Sequence, residues 1–504
     1  MYPIEFFWRA AQRFPDQTAI VMPGGELTFR ELARRVEARA AAVAKLVSSS
    51  EGFVCVGAAN TCEHLISILS VLAAGRVWVP LNPRNGDPEL RRIIEFVEPD
   101  LVLVDEEMYA RVGEEGRQTR LISELPDAEG EIAMGPCPGF GFALDRTQAL
   151  KFTGGTTGFP KGVKQPLRAW NTNIVTQMHA LKLSPDDRYL VAAPLTHGTS
   201  TYMLPILGSG GALIFPESTK AAGLLDAAEQ HRATLVFAPP TLILALVAEQ
   251  TRLPRELTAL RYLIYGGAPM RPEQIREAQA CFGRVLCTTY GQTEAPQIVT
   301  FLSPEEMAGP DLASVGRPTF LTQVGIFDGE GQGLPPGAEG EIAIRGDLVM
   351  TGYLKAPTET AQTLKNGWLF TGDAGVLDER GYLFIKDRIR DVIITGGFNV
   401  YPSDVEVVLA AHPAIADCSV VGIEDDKWGE AVHAAIEVRP GATLEEAELK
   451  AMIKRELGSV KTPKAIHVFE TLPRSPLGKV LKPAIRDEIV RRRAAEGPEA
   501  RHEA

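Results

Sequence analysis

The segment KFTGGTTGFPKGVKQP, residues 151–166, concentrates glycine, threonine and lysine in one place. Its sixteen positions hold four glycines, three threonines and three lysines, and the strand-like QALKF leads into it. Glycines let successive backbone N–H groups converge on an anion, hydroxyls add hydrogen-bond donors, and a lysine adds positive charge. The composition therefore indicates a loop that binds an anion, with a plain hairpin turn as the alternative.

Two common nucleotide-binding loops do not fit this segment. The phosphate loop G-x-x-x-x-G-K-[ST] needs a glycine before its lysine, but Pro160 precedes Lys161 and Gly162 follows it. The dinucleotide pattern G-x-G-x-x-G is absent from the sequence as well. A lysine about 4 Å from a phosphate oxygen still gains on the order of 4 kcal/mol at an effective dielectric near 20. The physical argument for anion binding therefore stands without either motif.

Length and composition narrow the class of protein. The chain has 504 residues, and single domains usually have roughly 100–200, so we expect more than one domain. Hydrophobic residues make up 45% and charged residues 23%, as in an ordinary globular protein. The formal net charge of −12 argues against general nucleic-acid binding, because phosphate backbones are bound through clustered lysine and arginine.

The sequence also favours a cytoplasmic protein without a transmembrane segment. The six cysteines include no C-x-x-C pair, which favours reduced thiols over a disulfide framework or a zinc site. The first residues, MYPIEFFWRAAQRFPDQ, carry charges inside their apolar stretch and lack a signal-peptide pattern. The longest apolar run, about residues 65–74, is too short to span a bilayer, and the final RHEA is not a targeting signal.

Strand-like and helical segments alternate along the first half of the chain. The apolar VCVGA, VWVPL and LVLVD alternate with the helical CEHLISILSVLAAG and PELRRIIEFV, and the pattern returns in LVFAPP and LRYLIYGG. Such alternation predicts parallel sheets covered by helices. Residues 28–47 predict an amphipathic helix that Thr28 caps, with Glu31 completing a capping box.

The sequence changes character twice towards its C-terminus. From about 312 to 387, short strands, turns and glycines predict a compact β-rich subdomain. After GYLFIKDRIRDVIITGG the chain predicts a helix over about 403–411, strands in CSVVGI and VHAAIEV, and a helix from Thr443 with Glu446 completing another capping box.

The predicted fold class is therefore α/β with two domains. A large N-terminal domain, residues 1–388, contains helix-covered sheets plus the β-rich subdomain. A small α+β C-terminal domain follows at residues 391–504, and the boundary lies near Arg390.

Five more segments follow the glycine-rich loop in a fixed order. Together with the loop, they resemble the motifs of adenylate-forming enzymes: acyl- and aryl-CoA synthetases, luciferases and nonribosomal-peptide adenylation domains. The resemblance spans nearly the whole chain, and six motifs in order make it specific. The five segments are YGGAPM (265–270), TTYGQTEA (288–295), GWLFTGDAG (367–375), KDRIRDVIITGGFNVYPSDVE (386–406) and LPRSPLGKVLK (472–482).

This resemblance implies an ATP-dependent acid:CoA ligase. Such enzymes activate a carboxylate with ATP and Mg²⁺ as an acyl-adenylate, release pyrophosphate, and transfer the acyl group to the thiol of coenzyme A, releasing AMP. Since an anionic carboxylate has to approach an anionic phosphate, positive charge and donors must be preorganised there. Gly154 departs from the family pattern, because relatives usually carry a serine at this position. The residues implied to surround the β- and γ-phosphates are Thr153, Gly155, Thr156, Thr157 and Lys161.

The resemblance also implies how the rest of the nucleotide is bound. Thr293 would bond the α-phosphate, and Glu294 would hold the magnesium, a hard cation that prefers carboxylate oxygen. Asp373 would accept both ribose hydroxyls, and Arg388 would also reach the ribose. The adenine would lie between Tyr290 with Gly291 on one side and a second segment, Gly267, Ala268 and Pro269, on the other.

In this family the small domain is mobile and changes its pose between the two half-reactions. Arg390 stands at the implied hinge, where relatives usually carry aspartate or lysine. In the first pose Lys479 would enter the site and neutralise charge on the carboxylate and α-phosphate. In the second, Gly396 and Gly397 would line a channel for the pantetheine arm, and Trp428 would pack on coenzyme A. A purely structural role for Trp428 is an equal alternative.

The sequence narrows the acid without identifying it. The acyl pocket is expected between residues 194–203, residues 239–243 and the strand leading to TTYGQTE. His197 would gate its carboxylate end or simply fill space, but a carboxylate nucleophile needs no general base at pH 7. Residues 195–204 contain no acid to bind an α-amine, and Thr289 replaces the arginine of malonate-type relatives. The prediction is a monocarboxylic acid with an apolar body, either fatty or aryl.

Two alternatives remain at this stage. One is an adenylate-forming enzyme with a different acceptor, such as a carrier-protein thiol, an amine or oxygen. The other is a non-catalytic nucleotide- or acyl-binding homologue, although Glu294, Asp373 and Lys479 are all retained. Homodimers are common among similar enzymes, so a homodimer is possible here.

Overall fold

The computed structural model describes residues 1–113, 118–127, 141–153, 161–396, 398–425, 428–474 and 480–495. Within these ranges, strands are numbered β1 to β26 and helices α1 to α15 in chain order. The chain divides into two compact units. The first comprises Met1–Val324, Ala343–Phe370 and Gly381–Leu383, and the second comprises Gly325–Ile342, Thr371–Arg380 and Phe384–Ala504.

The larger sheet of the first unit has nine described strands in the order β15-β14-β13-β12-β11-β9-β10-β1-β2. The strands from β13 to β1 are parallel to their neighbours, whereas β2, β14 and β15 are antiparallel to theirs. Parallel strands end at one common edge, so the segments that follow β9, β11, β12 and β13 emerge side by side. The strands are Thr18–Met22, Gly25–Thr28, Arg188–Leu190, Ala212–Ile214, Leu235–Ala238, Tyr262–Tyr265, Leu286–Gln292, Ala295–Leu302 and Arg317–Pro318, which are β1, β2 and β9 to β15.

A second sheet of the first unit has the described order β18-β8-β7-β4-β3-β5-β6. Strands β3 to β7 run parallel, and β8 pairs antiparallel with both β7 and β18. The predicted parallel sheets are therefore confirmed. The strands are Phe53–Gly57, Val77–Pro80, Leu101–Val104, Thr119–Leu121, Thr147–Thr153, Lys161–Pro166 and Gly352–Tyr353, which are β3 to β8 and β18.

Helices cover these two sheets, which share one apolar core. That core contains Trp78 of β4 and Tyr189 of β9 together with Phe29 of α2, so both sheets pack on a common cluster. Burying side chains of this size contributes roughly 2–3 kcal/mol each. The helices are α1 to α12: Pro3–Arg13, Phe29–Leu46, Cys62–Ala73, Asp87–Val97, Glu106–Val112, Leu167–Ala180, Ser200–Gly208, Ala221–Gln230, Pro240–Arg252, Pro272–Phe282, Pro304–Met307 and Pro357–Thr363.

A small sheet follows in the chain, with the described order β16-β17-β20-β19 and β21 paired to β20. Its short strands fall in the segment that the sequence predicts to be β-rich. Residues 325–342 and 371–380 belong to the second unit. The predicted domain boundaries at 388 and 391 stay a prediction. The strands are Gln323–Phe327, Glu339–Arg345, Leu364–Lys365, Trp368–Leu377 and Leu383–Arg388, which are β16, β17 and β19 to β21.

The C-terminal part of the second unit is α+β, as predicted. Its described strands have the order β23-β22-β25-β24, with β26 paired to β25. The strands are Ile393–Thr395, Phe398–Val400, Ile415–Asp425, Gly429–Val438 and Ala465–Phe469, and the helices α13 to α15 are Pro402–Ala410, Glu446–Leu457 and Lys482–Ala495.

The predicted capping box at Thr443 is wrong. Helix α14 begins at Glu446, its N-cap is Glu445, and no side-chain cap bond is present. The carboxylate of Glu446 pairs with Lys450 at 2.7 Å and accepts a hydrogen bond from the Ile466 backbone N–H at 3.3 Å. In a capping box the Glu446 side chain would bond the backbone at the start of the helix. Here Lys450 and the Ile466 N–H of β26 bind it instead.

Other local predictions agree with the structure. Five cysteines, 55, 62, 281, 287 and 418, are free, and Cys137 lies outside the described residues. Among the helices of the described ranges, none combines the length and apolar character needed to cross a bilayer.

The predicted capping box of α2 is confirmed. Glu31 N–H donates to the Thr28 hydroxyl at 3.2 Å, and the Glu31 carboxylate accepts from the Thr28 backbone N–H at 2.8 Å. These two reciprocal bonds satisfy N–H groups that a helix start otherwise leaves without partners.

We expect Thr28→Ala to destabilise the first turn of α2 by about 1 kcal/mol, because the bond from the Glu31 N–H to the threonine hydroxyl is lost. Hydrogen exchange measured by mass spectrometry should show amides of residues 29–32 exchanging about fivefold faster. Thr251→Ala is the matched control, because this exposed threonine donates to the Val247 carbonyl inside α9 and is no helix cap. Unchanged exchange in the Thr28→Ala protein would contradict the assigned cap.

Candidate active site

The candidate site of the first unit lies at the carboxyl edge of the nine-stranded sheet. Strand β12 ends at Tyr265 and is followed by Gly267 (φ 80°), Ala268 and Pro269, the predicted adenine segment. Its parallel neighbour β13 carries Tyr290 beyond the paired residues, and Tyr290 is buried. The fold therefore brings the predicted adenine segment and the TTYGQTE motif to adjacent strand ends, where open α/β sheets bind ligands.

The predicted phosphate loop joins two antiparallel strands. Thr153 ends β7, Lys161 begins β8, and the two residues are paired across the hairpin. The segment predicted to bind an anion therefore connects the two strands of a β-hairpin, so the two interpretations of the sequence concern the same element. Gly154, Gly155, Thr156 and Thr157 lie outside the described residues.

Lys161 is linked to the metal-site candidate Glu294 through an aromatic ring. The Lys161 ammonium lies 5.0 Å from the centroid of the Tyr353 ring, within the range of a cation–π interaction. The Tyr353 hydroxyl donates to Oε1 of Glu294 at 2.9 Å. Burial, followed by the charge of Glu294, raises the pKa of Tyr353, so this hydroxyl is a proton donor at neutral pH. The structure thus holds the predicted phosphate lysine and the predicted metal carboxylate on one tyrosine.

The backbone of the motif is fixed by the same strands. Gln165 of β8 donates its side-chain N–H to the Thr293 carbonyl at 2.7 Å, and the Met350 N–H donates to the Glu294 carbonyl at 2.8 Å. These bonds join Thr293 and Glu294 to β8 and to the residues before β18. The predicted phosphate and α-phosphate residues are therefore parts of one hydrogen-bonded frame.

The donor set at Glu294 fits a magnesium ion that a nucleotide also binds. Among the described residues, no group of three or more His, Cys, Asp or Glu side chains could hold a metal by itself. Mg²⁺ usually keeps several waters and takes one or two carboxylates plus substrate phosphates. A single half-buried carboxylate beside the phosphate hairpin meets that requirement.

Gly291 of the motif is needed because another backbone approaches it. A Cβ at Gly291 would lie 2.6 Å from the backbone nitrogen and 2.9 Å from the Cα of Gln297, so no side chain fits there. Gln297 itself has a φ of 64°, in the left-handed region that non-glycine residues seldom adopt. The motif is thus held against a strained residue on β14.

The predicted gate residue, His197, lies in the segment that follows β9. Its residue surface is exposed, and its Nδ1 is 3.0 Å from the Thr196 hydroxyl. Desolvation of the imidazole ring, followed by the charges of Lys151 and Arg84, lowers the pKa of His197 to about 4. The imidazole is therefore neutral at pH 7, which agrees with a packing or gating role and not with a cationic clamp.

Aromatic side chains form the wall behind the predicted acyl pocket. Tyr202 stacks on Tyr189 and on Phe237 with ring centroids 5.3 Å apart in both pairs, and all three residues are buried. Gly198, next to His197, allows this packing, because a Cβ there would lie 2.6 Å from the Phe237 ring. A rigid aromatic stack therefore packs behind the segment that is predicted to line the acyl pocket.

Lys151 is a buried cation that the sequence reasoning missed. It lies on β7, two residues before Thr153, and its ammonium donates to the Ser200 hydroxyl at 2.5 Å and to the His197 carbonyl at 3.5 Å. The rings of Trp78 and Trp170 lie at 5.1 and 5.6 Å from it, and no carboxylate pairs with it within the described ranges. Desolvation lowers the pKa of Lys151 to about 7. A lysine inside a strand-like segment gave no signal that its partners would come from 49 residues away.

Within the second unit, the two predicted ribose residues contact each other. Nε of Arg388 lies 2.8 Å from Oδ1 of Asp373, and Asp373 is buried. The loop before Asp373 is fixed as well, because Thr371 donates to the Ile342 carbonyl at 2.7 Å and Glu341 accepts from the Gly372 N–H at 2.9 Å. A rigid, buried carboxylate next to a guanidinium can accept hydroxyl donors with its remaining lone pairs.

The second unit also brings Gly396 and Trp428 together. The Gly396 N–H donates to the Trp428 carbonyl at 2.8 Å, and a Cβ at Gly396 would lie 3.0 Å from the indole ring. The ammonium of Lys464 lies 4.8 Å from that ring, which is partly exposed. The two residues predicted to contact the coenzyme A arm are therefore neighbours, whereas Gly397 and Lys479 lie outside the described residues.

The comparisons with known proteins agree on one family. Residues 7–354 match the family of AMP-binding enzymes, and residues 404–479 match the AMP-binding enzyme C-terminal domain. A feruloyl-CoA synthase of Amycolatopsis is 34% identical over 480 residues, which cover 95% of this chain and 97% of that protein. The medium/long-chain-fatty-acid–CoA ligase FadD8 of Mycobacterium tuberculosis is 32% identical, and the match covers 95% of this chain and 88% of that protein. The solved amide bond synthetase McbA of Marinactinospora thermotolerans is 30% identical with a TM-score of 0.87, over 96% of this chain and 99% of that one.

We expect Lys151→Met to stabilise the protein at pH 7 by on the order of 3 kcal/mol, because it removes a buried charge without a carboxylate partner. The folded-state pKa of about 7 is below that of an unfolded lysine, so the wild-type protein gains stability as the pH rises from 7 towards 10. The advantage of the variant should therefore be largest at or below pH 7 and shrink at higher pH.

Thermal unfolding of both proteins between pH 6.5 and about 9.5 measures this difference. Lys164→Met on the neighbouring strand β8 is the matched control and should show no pH-dependent difference from wild type. A constant stability difference across the range would show that Lys151 does not titrate in the folded protein.

Proposed function

Because the chain belongs to the AMP-binding enzyme family and is an AMP-forming acid–thiol ligase, we propose that it activates a monocarboxylic acid with ATP and transfers the acyl group to coenzyme A. The observation that supports this proposal most directly is the hydrogen-bonded frame of the first unit. In it, the hairpin that carries the glycine-rich loop is bonded to Thr293 and Glu294 through Gln165 and Tyr353.

In the first half-reaction, a carboxylate oxygen of the acid attacks the α-phosphorus of ATP. The bond from the α-phosphorus to the bridging oxygen of the β-phosphate breaks, and pyrophosphate leaves with that oxygen. We propose that Thr153, Lys161 and the loop between them bind the β- and γ-phosphates, while Thr293 bonds the α-phosphate. Glu294 would hold Mg²⁺, which would neutralise phosphate charge.

Positive charge decides this step, because two anions must approach each other. Lys161 already lies at the phosphate hairpin, with its ammonium against the ring of Tyr353. We propose that Lys479 supplies a second positive charge at the carboxylate and α-phosphate. Asp373 would hold the ribose hydroxyls, with Arg388 beside it to fix the carboxylate.

In the second half-reaction, the sulfur of coenzyme A attacks the acyl carbon of the adenylate. The bond from that carbon to the phosphate oxygen breaks, AMP leaves, and the thiol proton passes to solvent. We propose that Gly396, Gly397 and Trp428 contact the pantetheine arm. The contact between Gly396 and Trp428 supports this proposal, since both residues then face one ligand.

The acid and the acceptor are the open parts of the proposal. The relatives include proteins named for feruloyl and for medium- and long-chain fatty substrates, so the fatty and aryl alternatives both persist. An amine acceptor is a second candidate, which the similarity to an amide bond synthetase favours. The cytoplasmic location, the homodimer and the hinge at Arg390 stay predictions.

A panel of fatty and aryl acids with ATP and Mg²⁺ tests the function. AMP and pyrophosphate are measured with and without coenzyme A, and we expect several turnovers of AMP only when an acid and coenzyme A are both present. Acid-dependent AMP release that ignores coenzyme A but responds to an added amine would favour the amide synthetase instead. The absence of any acid-dependent nucleotide cleavage would contradict a ligase activity.

Lys479→Ala tests the proposed change of pose. Adenylate formation should fall about a hundredfold or more, because one preorganised positive charge is lost at the transferring phosphate. Thioester formation from a chemically prepared acyl-adenylate should stay within about threefold of wild type, since the lysine would not be in the site then. Lys454→Ala on the exposed face of α14 is the control. Equal losses in both half-reactions would contradict the two poses.

A further inference from the structure

Gln297 presents a fixed polar group that neither the motifs nor the proposed mechanism use. Its φ of 64° lies inside strand β14, next to the TTYGQTE motif. Non-glycine residues in this conformation are strained and are concentrated at functional sites. Because Gly291 has no Cβ, the backbone of Gln297 can approach it closely. A strained residue held by a motif glycine invites the question of what its side chain does.

Both N–H groups of the Gln297 amide are already used inside the protein. Nε2 donates to the Tyr202 hydroxyl at 2.9 Å and to the Thr289 hydroxyl at 3.0 Å. These two bonds hold the plane of the amide in place. Burial, among other causes, raises the pKa of Tyr202, so its hydroxyl keeps its proton. The carbonyl oxygen is thus the group of the amide that these two hydrogen bonds do not use.

The carbonyl oxygen of Gln297 faces the segment that carries His197. Oε1 lies 3.3 Å from the position that a Cβ on Gly198 would occupy, next to the exposed His197. None of the hydrogen bonds among the described residues reaches this oxygen, and it is not among their buried polar atoms without a partner. It is therefore a solvent-accessible acceptor of fixed position at the predicted acyl pocket.

The aromatic stack limits the shape of a ligand at this position. Tyr202 lies between Tyr189 and Phe237, with interplanar angles of 15° and 30°, and the stack belongs to the shared core of both sheets. A long alkyl chain directed at Tyr202 would have to open this close-packed stack, which a dense core resists. A flat ring can instead lie against the aromatic wall without displacing it.

Resting on the proposed function, we propose that the acid is a compact aromatic carboxylic acid with a hydrogen-bond donor on its ring, and that Oε1 of Gln297 accepts that hydrogen bond. Gln297 is then the specificity-determining residue of the acyl pocket. A site built to bond a hydroxyl or N–H group rejects analogues that lack it, because its own polar group would be left unpaired.

The experiment compares matched acids on the purified full-length enzyme. Meta- and para-hydroxylated benzoates, phenylacetates and cinnamates are compared with their unsubstituted and methoxylated counterparts and with dodecanoate, using AMP release in the presence of coenzyme A. We expect at least one hydroxylated acid to exceed both of its counterparts about tenfold or more in kcat/KM. The methoxylated acid should fail because it accepts but does not donate. Dodecanoate should be the poorest substrate.

Variants assign the preference to Gln297. Gln297→Leu should reduce the hydroxyl preference to about one, whereas Gln297→Glu, which keeps an acceptor oxygen, should retain it. Tyr202→Phe should weaken the preference, because one of the two bonds that orient the amide is lost. Gln230→Leu, at the exposed end of α8, should leave it unchanged.

The possible results separate this inference from the proposed function. Acid-dependent AMP release with dodecanoate preferred, or with no hydroxyl preference in the wild-type enzyme, would overturn the inference and leave the ligase intact. An unchanged preference in a folded Gln297→Leu protein would also overturn it. No AMP release with any acid would remove the proposed function, and this inference with it. The wild-type comparison alone is decisive if a variant does not fold.

Discussion

The antiparallel pairing of β7 with β8 is the constraint on which the candidate site depends. It sets Thr153 opposite Lys161, so the glycine-rich loop starts and ends at one fixed point. The same strand β8 pairs with β18, which carries Tyr353. Because Tyr353 bonds Glu294 and Gln165 bonds Thr293, the second sheet fixes a motif that belongs to the first. A small shift of this hairpin would therefore move the proposed phosphate and metal ligands together.

Charge is distributed unevenly around this frame, and the distribution suits a reaction between two anions. Lys161 lies at the start of β8, with its ammonium against the ring of Tyr353. Lys151 lies in the interior on the partner strand β7, where desolvation lowers its pKa to about 7 and costs stability. Desolvation, followed by the charge of Lys151, lowers the pKa of His197, so its imidazole is neutral at pH 7. Lys151 therefore places a titratable cation at Ser200 and the His197 carbonyl, on the segment predicted to line the acyl pocket, while Lys161 lies at the phosphate hairpin.

Sequence reasoning succeeded where the determining contacts are local and failed where they are not. The box of Thr28 and Glu31 needs only three residues of separation, so it was predictable, and so was the alternation that gives the parallel sheets. The same pattern at Thr443 misled, because Glu446 bonds a backbone N–H twenty residues away on β26. Gln297 and Lys151 gave no signal at all, since their partners Tyr202 and Ser200 are 95 and 49 residues distant. The site motifs were found because of their resemblance to a family, and their roles remain proposals.

The contact between Gly291 and Gln297 joins two tasks that the sequence treats as separate. Gly291 belongs to the motif proposed to bind the nucleotide, whereas Gln297 is bonded to Tyr202 in the wall of the acyl pocket. Since no side chain fits between them, the nucleotide motif cannot move without carrying the amide of Gln297. In this geometry, an acid that bonds Gln297 also braces the strand that holds Thr293 and Glu294. With the proposed roles, acid recognition and phosphate alignment depend on one segment of β13 and β14, and a poorly fitting acid would weaken the alignment as well as its own binding.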